Sequence, residues 1–425
     1  MKNNFLKFQE PVPKRGSLAP ARFLLVLFQL LAVLLVFLFH YKNLNGQVLL
    51  FGAGLVLMTL LSVGIMARFS RNEPYLLVIV NMIFTIGAIM VFRIRPNLGS
   101  RQLFIYLVSV VIFFFVFFLL RASYRFWENA TWIYFALTLA CFLLTLLFGR
   151  FLYGAKNWVT IAGVQIQPSE FAKVPFVFMI ASWFRHYEDY QTSPLKRYSL
   201  MIAVYVLIAL FFVQKELGTA MVFFSIFFMA QVAFERNKSL VVLNFLLVLV
   251  GLTLGYFLFQ HVRSRVDIWL NPWADYHDKG YQIVQSLFAI AEGGFFGTGL
   301  GLGHPESVPL GYSDFIFASV VEEMGGFMGI CLIFLFLLLF YRGIKIAMRQ
   351  ERDFYSCLAL CISVLFASQA LIMFGGVMKL IPLTGITIPF LTYGGSSLLS
   401  SFILLACLQL CSEDFVVREV EHEKK

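Results

Sequence analysis

The sequence predicts an all-α polytopic membrane protein with about twelve transmembrane helices and one large extracytoplasmic loop. Three observations carry this. Sixty per cent of the 425 residues are hydrophobic, 13% are charged and 50 are Phe, whereas soluble domains carry about 25% charged residues. Apolar runs long enough to cross a bilayer recur along the whole chain. A single long polar stretch, Gln260 to Ser313, interrupts them.

Taken in order, residues 1–21 form a basic tail. Apolar runs follow at roughly 22–40, 48–67, 75–93, 103–120, 130–149, 170–184, 198–213, 217–234, 239–259, 314–341, 355–377 and 388–411, each read as a span. Residues 412–425 form a second polar tail. The first run is followed by His40-Tyr41-Lys42 with no small-residue cleavage site, so it reads as a retained helix and not as a signal peptide. Gln214-Lys215-Glu216 makes a tight re-entry between the seventh and eighth runs. Gly375-Gly376, Pro382 and Pro389 predict irregular backbone before the last one. At membrane depth such backbone survives only where protein or a watery cavity covers it.

The net charge of +10 reads as membrane orientation. Most Lys and Arg residues lie on the connections that a cytoplasmic N-terminus places inside, which puts both termini in the cytoplasm and the 260–313 loop outside. Arg93, Arg95 and Arg101 fall on the outer side against that rule. Nucleic-acid binding is excluded, because the basic residues flank apolar runs and form no patch. All six cysteines lie in apolar runs, some at i,i+4 spacing but without His or carboxylate; they read as small hydrophobes, not metal ligands.

The long loop holds Arg263, Arg265, Asp275, Asp278, Lys279, Glu292 and Glu306. Segments of this length are usually functional or disordered, and Trp269, Trp273, Phe288, Phe295 and Phe296 argue against disorder. Its Gly297-x-Gly299-x-Gly301-x-Gly303 is no dinucleotide fingerprint, since no strand–turn–helix unit surrounds it. It reads as a turn that lets backbones approach closely.

Three further motifs carry chemistry. Gln167-Pro168-Ser169-Glu170-x-x-Lys173 opens the sixth span, with Pro suited to the first helical turn and Glu170 favoured by the helix dipole. Glu170 and Lys173, three apart, share a face, either as a structural ion pair or as the charged wall of a substrate cavity. Asp314 begins the tenth span, as an N-cap or as a functional carboxylate. Glu322 and Glu323 lie roughly 12 Å deeper along that helix; pairing with an Arg is at least as good a reading for them as catalysis. Last, Pro382-x-Thr384-Gly385-x-x-x-Pro389-Phe390-x-x-Tyr393-Gly394-Gly395-Ser396-Ser397 forms a broken, hydroxyl-rich entry to the final span.

Together with Gly154-Ala155-x-x-Trp158, Asn271-Pro272-Trp273-x-Asp275 and Gly280-Tyr281-Gln282-x-x-Gln285-Ser286, these motifs resemble, in order and spacing over about residues 150 to 411, the shape, elongation, division and sporulation family. Members of that family have ten spans, three of them before the Gly-Ala-x-x-Trp motif. This chain has five there, so the resemblance implies a ten-helix core plus two added helices in the N-terminal half. It also departs locally. The family's Gln-Pro-Asp-Leu-Gly-Thr stands as Gln214-Lys215-Glu216-Leu217-Gly218-Thr219, and its Pro-Glu-x-His-Thr-Asp as Pro309-Leu310-Gly311-Tyr312-Ser313-Asp314.

The resemblance implies an inverting peptidoglycan glycosyltransferase in the bacterial cytoplasmic membrane. It would polymerise lipid II, the undecaprenyl-pyrophosphate-linked disaccharide peptide, at the outer face during elongation, division or sporulation. Asp314 would be the general base. Arg263, Arg265 and Lys173 would face the leaving pyrophosphate, with a divalent cation, Mg or Mn, as a further expectation there. Glu170, Gln285, Ser286, Thr384, Tyr393, Ser396 and Ser397 would line the substrate cavity, and Glu216, Glu322 and Glu323 would support it. A class B penicillin-binding protein and other membrane proteins of the cell-wall synthesis complex would be partners. A lipid II flippase and a non-catalytic scaffold are the alternatives. Polymerisation needs Asp314 as a base, flipping needs only charge, and scaffolding ignores it.

Overall fold

The structure, a computed structural model, describes residues 18–39, 45–70, 73–152, 155–161, 163–277 and 280–413. Most of both tails, together with Gly154, Asp278 and Lys279, lies outside the described residues.

Five helices come first: α1 (Ala19–Phe39), α2 (Asn45–Phe69), α3 (Tyr75–Ile94), α4 (Pro96–Ser123) and α5 (Thr131–Phe148). After a small sheet come α6 (Pro168–Arg185), the single turns α7 (Tyr187–Tyr190) and α8 (Pro194–Arg197), α9 (Ser199–Gln214), α10 (Leu217–Phe234) and α11 (Lys238–Leu258). The polar loop contains α12 (Gln260–Leu270) and α13 (Tyr281–Gly293), so it is largely folded. The chain closes with α14 (Ile316–Arg349), α15 (Asp353–Val377) and α16 (Gly395–Cys411). Among the described residues nine helices are long and apolar enough to cross a membrane: α1 to α5, α10, α11, α14 and α15. The remaining predicted spans are α9 and α16, which are shorter, and α6, which carries Glu170, Lys173 and Arg185.

The all-α expectation holds, with one local addition. Three short strands, β1 (Arg150–Leu152), β2 (Ala155–Ile161) and β3 (Val164–Ile166), form an antiparallel sheet in sequence order. Val159 pairs with Ile166 and Thr160 with Gln165, around a turn where Gly163 takes φ +80°. Val, Thr and Ile favour pleated backbone, and a segment this short gives no hydropathy signal.

Among the longer apolar helices α3 and α15 are the most enclosed, with 89% and 83% of their apolar windows buried, against 22% for α1 and 17% for α11, and α16 is buried along most of its length as well. The bundle is therefore built around α3, α15 and α16, and α1 and α11 lie at its rim. α14 packs on α15, α6 on α5 and α4 on α16. Polar side chains buried between helices find one another. Gln29 donates to Thr59 and Thr85 at 2.8 Å, and Asn81 donates to Ser62 at 3.1 Å while accepting from Tyr106. A buried polar group without such a partner is costly where no water competes.

α14 is not continuous. Gly325 has φ +83° and ψ +164°, far from helical values, and breaks it near its first third. The glycine-rich loop fills the break. The N–H groups of Thr298 and Gly299 donate to the carbonyls of Glu322 and Glu323 at 2.9 and 3.0 Å, and those of Gly326 and Phe327 donate to Gly294 and Phe295 at 2.8 and 3.1 Å. A Cβ on Gly325 would lie 2.3 Å from the Phe295 carbonyl oxygen, and one on Gly297 2.4 Å from that of Glu323. Glycine is required at both by the positive φ and by the backbone contact. The close approach expected of the Gly-x-Gly-x-Gly-x-Gly run thus has a definite object, the broken turn of α14.

Candidate functional site

The broken segment 382–394, between α15 and α16, gathers residues from distant parts of the chain. Arg265 on α12 donates to the Leu383 carbonyl at 2.9 Å. Gly218, in the first turn of α10, lies against Thr384 and Ile386. The Tyr393 N–H donates to the Tyr312 carbonyl at 3.2 Å, with the two rings edge to face at 6.1 Å. Gln102 on α4 donates to the Thr392 carbonyl at 3.0 Å. Asp314 stands against the same segment, its Oδ2 being 3.5 Å from where a Cβ on Gly385 would lie.

Asp314 does not cap α14. The N-cap is Phe315, with no side-chain cap hydrogen bond, because Asp314 sits one residue too early. The turn is closed by backbone instead, Ile316 N–H donating to the Ser313 carbonyl at 3.2 Å. Asp314 is half-buried: solvent touches the residue, but protein surrounds enough of the carboxylate to strip much of its hydration. Burial pushes its carboxyl from 3.8 up to about 6, and the neighbouring Arg265 guanidinium pulls the other way. Arg265 is likewise depressed by burial and raised by Asp314.

The second group of charges lies where α6, α10 and α16 begin. Lys173 Nζ is 2.7 Å from Glu170 Oε1, both buried, and Ser400 donates to Glu170 Oε2 at 3.3 Å. Glu216, at the N-cap of α10, accepts on Oε1 from Asn157 of β2 at 2.9 Å, from Ser169 at 3.1 Å and from Gln167. Burial pushes its carboxyl up; the three donors oppose this and Glu170 adds to it. Ser396 accepts from the Gln167 N–H at 3.1 Å, and Ser397 shares a 2.7 Å hydrogen bond with Thr387. The small sheet thus has a structural task, since it carries Asn157 to Glu216.

Other residues expected at the site are engaged elsewhere. Arg263 is exposed, donates back to the Phe257 carbonyl at 3.1 Å and lies over the Tyr256 ring. Two residues apart on a helix do not face the same way, so α12 can turn only one of its arginines toward Asp314, and it turns Arg265. The Ser286 hydroxyl donates to Ile283 within α13, and Gln285 reaches Tyr276 at 3.4 Å. Glu322 and Glu323 hold the glycine-rich loop. Glu322 accepts from the His304 N–H at 2.6 Å and Glu323 from the Gly301 N–H at 3.0 Å. Glu323 also lies 3.1 Å from Arg93, whose guanidinium donates to the Gly301 and Gly303 carbonyls.

That pairing accounts for one of the arginines that broke the orientation rule. A second, the exposed Arg95, lies 5.1 Å over the Tyr312 ring, two residues from Asp314. Neither was read from the sequence as part of a site. Their position against the charge rule was the available signal, because an arginine kept on the unfavoured side needs a local partner. Among the described residues no three His, Cys, Asp or Glu side chains converge, so a divalent cation at the pyrophosphate would be held by fewer protein ligands together with the phosphates themselves.

The cell cycle protein family model, FTSW_RODA_SPOVE, matches residues 74–414. The peptidoglycan glycosyltransferase RodA of Mycobacterium tuberculosis is 38% identical over 267 residues, covering 60% of this chain and 57% of that protein. The chain thus spans little more than half the length of its mycobacterial relatives. Stage V sporulation protein E of Bacillus subtilis is 33% identical over 354 residues, 77% of this chain and 94% of that one. Among solved structures, a chain of a peptidoglycan synthase complex, described as coordinating polymerization and crosslinking, superposes with a TM-score of 0.67 at 25% identity, covering 80% and 97%. Rod shape determining protein RodA of Thermus thermophilus superposes at 0.57 and 22% identity, covering 79% and 95%, a likeness of fold. The family match begins just before α3, so the helices added to the ten-helix core are α1 and α2.

Proposed function

Because the chain belongs to the cell cycle protein family of FtsW, RodA and SpoVE, we propose that it is a peptidoglycan glycosyltransferase that polymerises lipid II at the outer face of the bacterial cytoplasmic membrane. The observation that carries this reading is one carboxylate, Asp314, set beside one guanidinium, Arg265, with both against the broken segment 382–394. In the reaction, Asp314 takes the proton from a sugar hydroxyl of the acceptor. The hydroxyl oxygen bonds to the anomeric carbon of the donor from the face opposite the leaving group. The bond from that carbon to the lipid pyrophosphate breaks, and the departing negative charge is met by Arg265, while Lys173 stays in its buried pair with Glu170. A divalent cation, Mg or Mn, at the pyrophosphate is a further part of the proposal, and the steps above use only the protein's own side chains.

Lipid II as substrate and a class B penicillin-binding protein as partner are parts of the same proposal. The relatives named as peptidoglycan glycosyltransferases and the likeness to a chain of a synthase complex support them. Incubating purified lipid II with the purified protein, with and without a co-expressed class B penicillin-binding protein, tests the reading. Glycan strands should form and depend on this chain. No polymer in either mixture would leave the flippase and scaffold readings standing.

A pH profile follows from the carboxylate. A base acts only when ionised, so kcat/KM should be constant above about pH 6 and fall about tenfold per unit below it, with the inflection set by the raised Asp314 pKa. A profile flat down to pH 4.5 would remove Asp314 from the role. For orientation, Ser307 is exposed on the polar loop. A cysteine placed there should be labelled by an impermeant maleimide in intact cells. Labelling only after permeabilisation would invert the topology.

A further inference from the structure

Two cationic side chains and a histidine come together where α9 meets α12, and only Arg265, the one beside Asp314, stands out in the sequence. Lys215 ends α9 in the left-handed region, φ +62° and ψ +30°. That conformation is uncommon for a residue with a side chain and tends to persist at ligand-binding positions. Proline, which the family places here, cannot adopt it because its ring fixes φ near −65°. The end of α9 is held against the junction of α11 and α12. The Phe212 ring packs 5.2 Å from the Phe259 ring, and Phe259 is 5.6 Å from the His261 ring. This brings Lys215, exposed, beside His261, half-buried in the first turn of α12. His261 Nε2 is enclosed and has no hydrogen-bond partner. Arg265 follows one helical turn later on the same face, beside Asp314. Burial lowers the His261 pKa, and the Arg265 and Lys215 charges lower it further. Two cations beside an imidazole held toward its neutral form, its Nε2 without a hydrogen-bond partner, can receive an anion, and the imidazole can take up a proton as the anion binds.

We propose that Lys215, His261 and Arg265 bind the pyrophosphate of the lipid-linked sugar, with Lys215 and His261 taking the place that the sequence suggested for Arg263. This rests on the glycosyltransferase reading. A diphosphate suits the cluster better than a single phosphate, because its two groups can be shared between the Lys215 side on α9 and the Arg265 side on α12. Arg265 is fixed by Leu383, so the diphosphate would lie within reach of Asp314 and of the broken segment. Lys215, at the rim, would meet the outer phosphate.

The test uses the full chain in nanodiscs of neutral phosphatidylcholine. Undecaprenyl pyrophosphate, undecaprenyl monophosphate and phosphatidylglycerol are titrated as separate probes, with binding read by thermophoresis. Asn tolerates the left-handed region, so Lys215→Asn removes charge without disturbing the turn. Lys215→Asn and His261→Gln should each weaken undecaprenyl pyrophosphate binding about tenfold, the loss expected for a charge-assisted hydrogen bond. Lys215→Arg should restore most of it, and the monophosphate should be affected less. In polymerisation of lipid II the two neutral variants should raise KM more than they lower kcat. Unchanged pyrophosphate binding in both variants, at unchanged melting temperature, would overturn the proposal. So would an equal loss for phosphatidylglycerol, which would mark a lipid-headgroup contact. Polymerisation by the wild type with no effect of either variant would sink the subsite and leave the enzyme reading intact. Pyrophosphate binding that is weakened as expected, in a protein that makes no polymer, would do the reverse.

Discussion

Asp314→Asn is expected to insert and fold like the wild type and to lose glycan polymerisation by about 10²–10⁴-fold, the usual effect of removing a general base. Asparagine matches the size of the side chain, and because Asp314 makes no cap hydrogen bond to α14 the substitution removes nothing from the helix start. Its amide cannot take the hydroxyl proton. Burial now disfavours the charged carboxylate, so the neutral amide should be tolerated at least as well in the fold. The measurement is the lipid II polymerisation rate of purified protein, alongside its melting temperature. A stable variant with near-normal rate would end the assignment. Because Glu322 and Glu323 are occupied by the glycine-rich loop, the search would then move to the carboxylates near α6 and α10.

The second large effect concerns stability. Arg93→Leu should destabilise the protein by about 3–5 kcal/mol, the cost of leaving a buried charge unpaired. Glu323 is fully buried and Arg93 nearly so. Their 3.1 Å approach is a charge contact and not an aligned hydrogen bond, which leaves the guanidinium N–H groups for the carbonyls of Gly301 and Gly303. Arg93→Leu combined with Glu323→Gln should recover part of the loss, since glutamine removes the stranded charge and can still accept from the Gly301 N–H. Thermal unfolding in detergent distinguishes these outcomes. A single variant as stable as the wild type would show that the pair holds nothing.

The helices were legible because each apolar run has to satisfy its own backbone in lipid, which makes hydropathy a direct record of the span. The start of α6 was legible too, since Pro168, Glu170 and Lys173 encode a helix N-terminus and an i,i+3 pair in a few residues. The small sheet was not, because β2 has only seven residues and leaves no hydropathy trace. The choice between Arg263 and Arg265 could have been made had the 260–270 stretch been read as an amphipathic helix with two opposed faces. What no local pattern could give is the meeting of segments far apart in the chain. Lys215 with His261, Arg93 with Glu323 and Asn157 with Glu216 are tertiary facts. The break in α14 lies between these extremes: Gly325 signals it, but the loop that fills it begins some thirty residues earlier.

The two helices outside the family match reach into the part that matches. The Phe39 ring at the end of α1 lies 4.6 Å from the Arg93 guanidinium and covers Gly301, where a Cβ would come within 2.8 Å of that ring. An appendage with this contact is no longer detachable. A truncated chain beginning at α3 would keep all ten shared helices and yet expose the cation that fastens the loop ahead of Asp314. The same ring marks a place where this chain differs from a ten-helix relative within one side chain of shared machinery. Phe39→Ala would therefore loosen Arg93 and the turn at Gly301 from outside the family match.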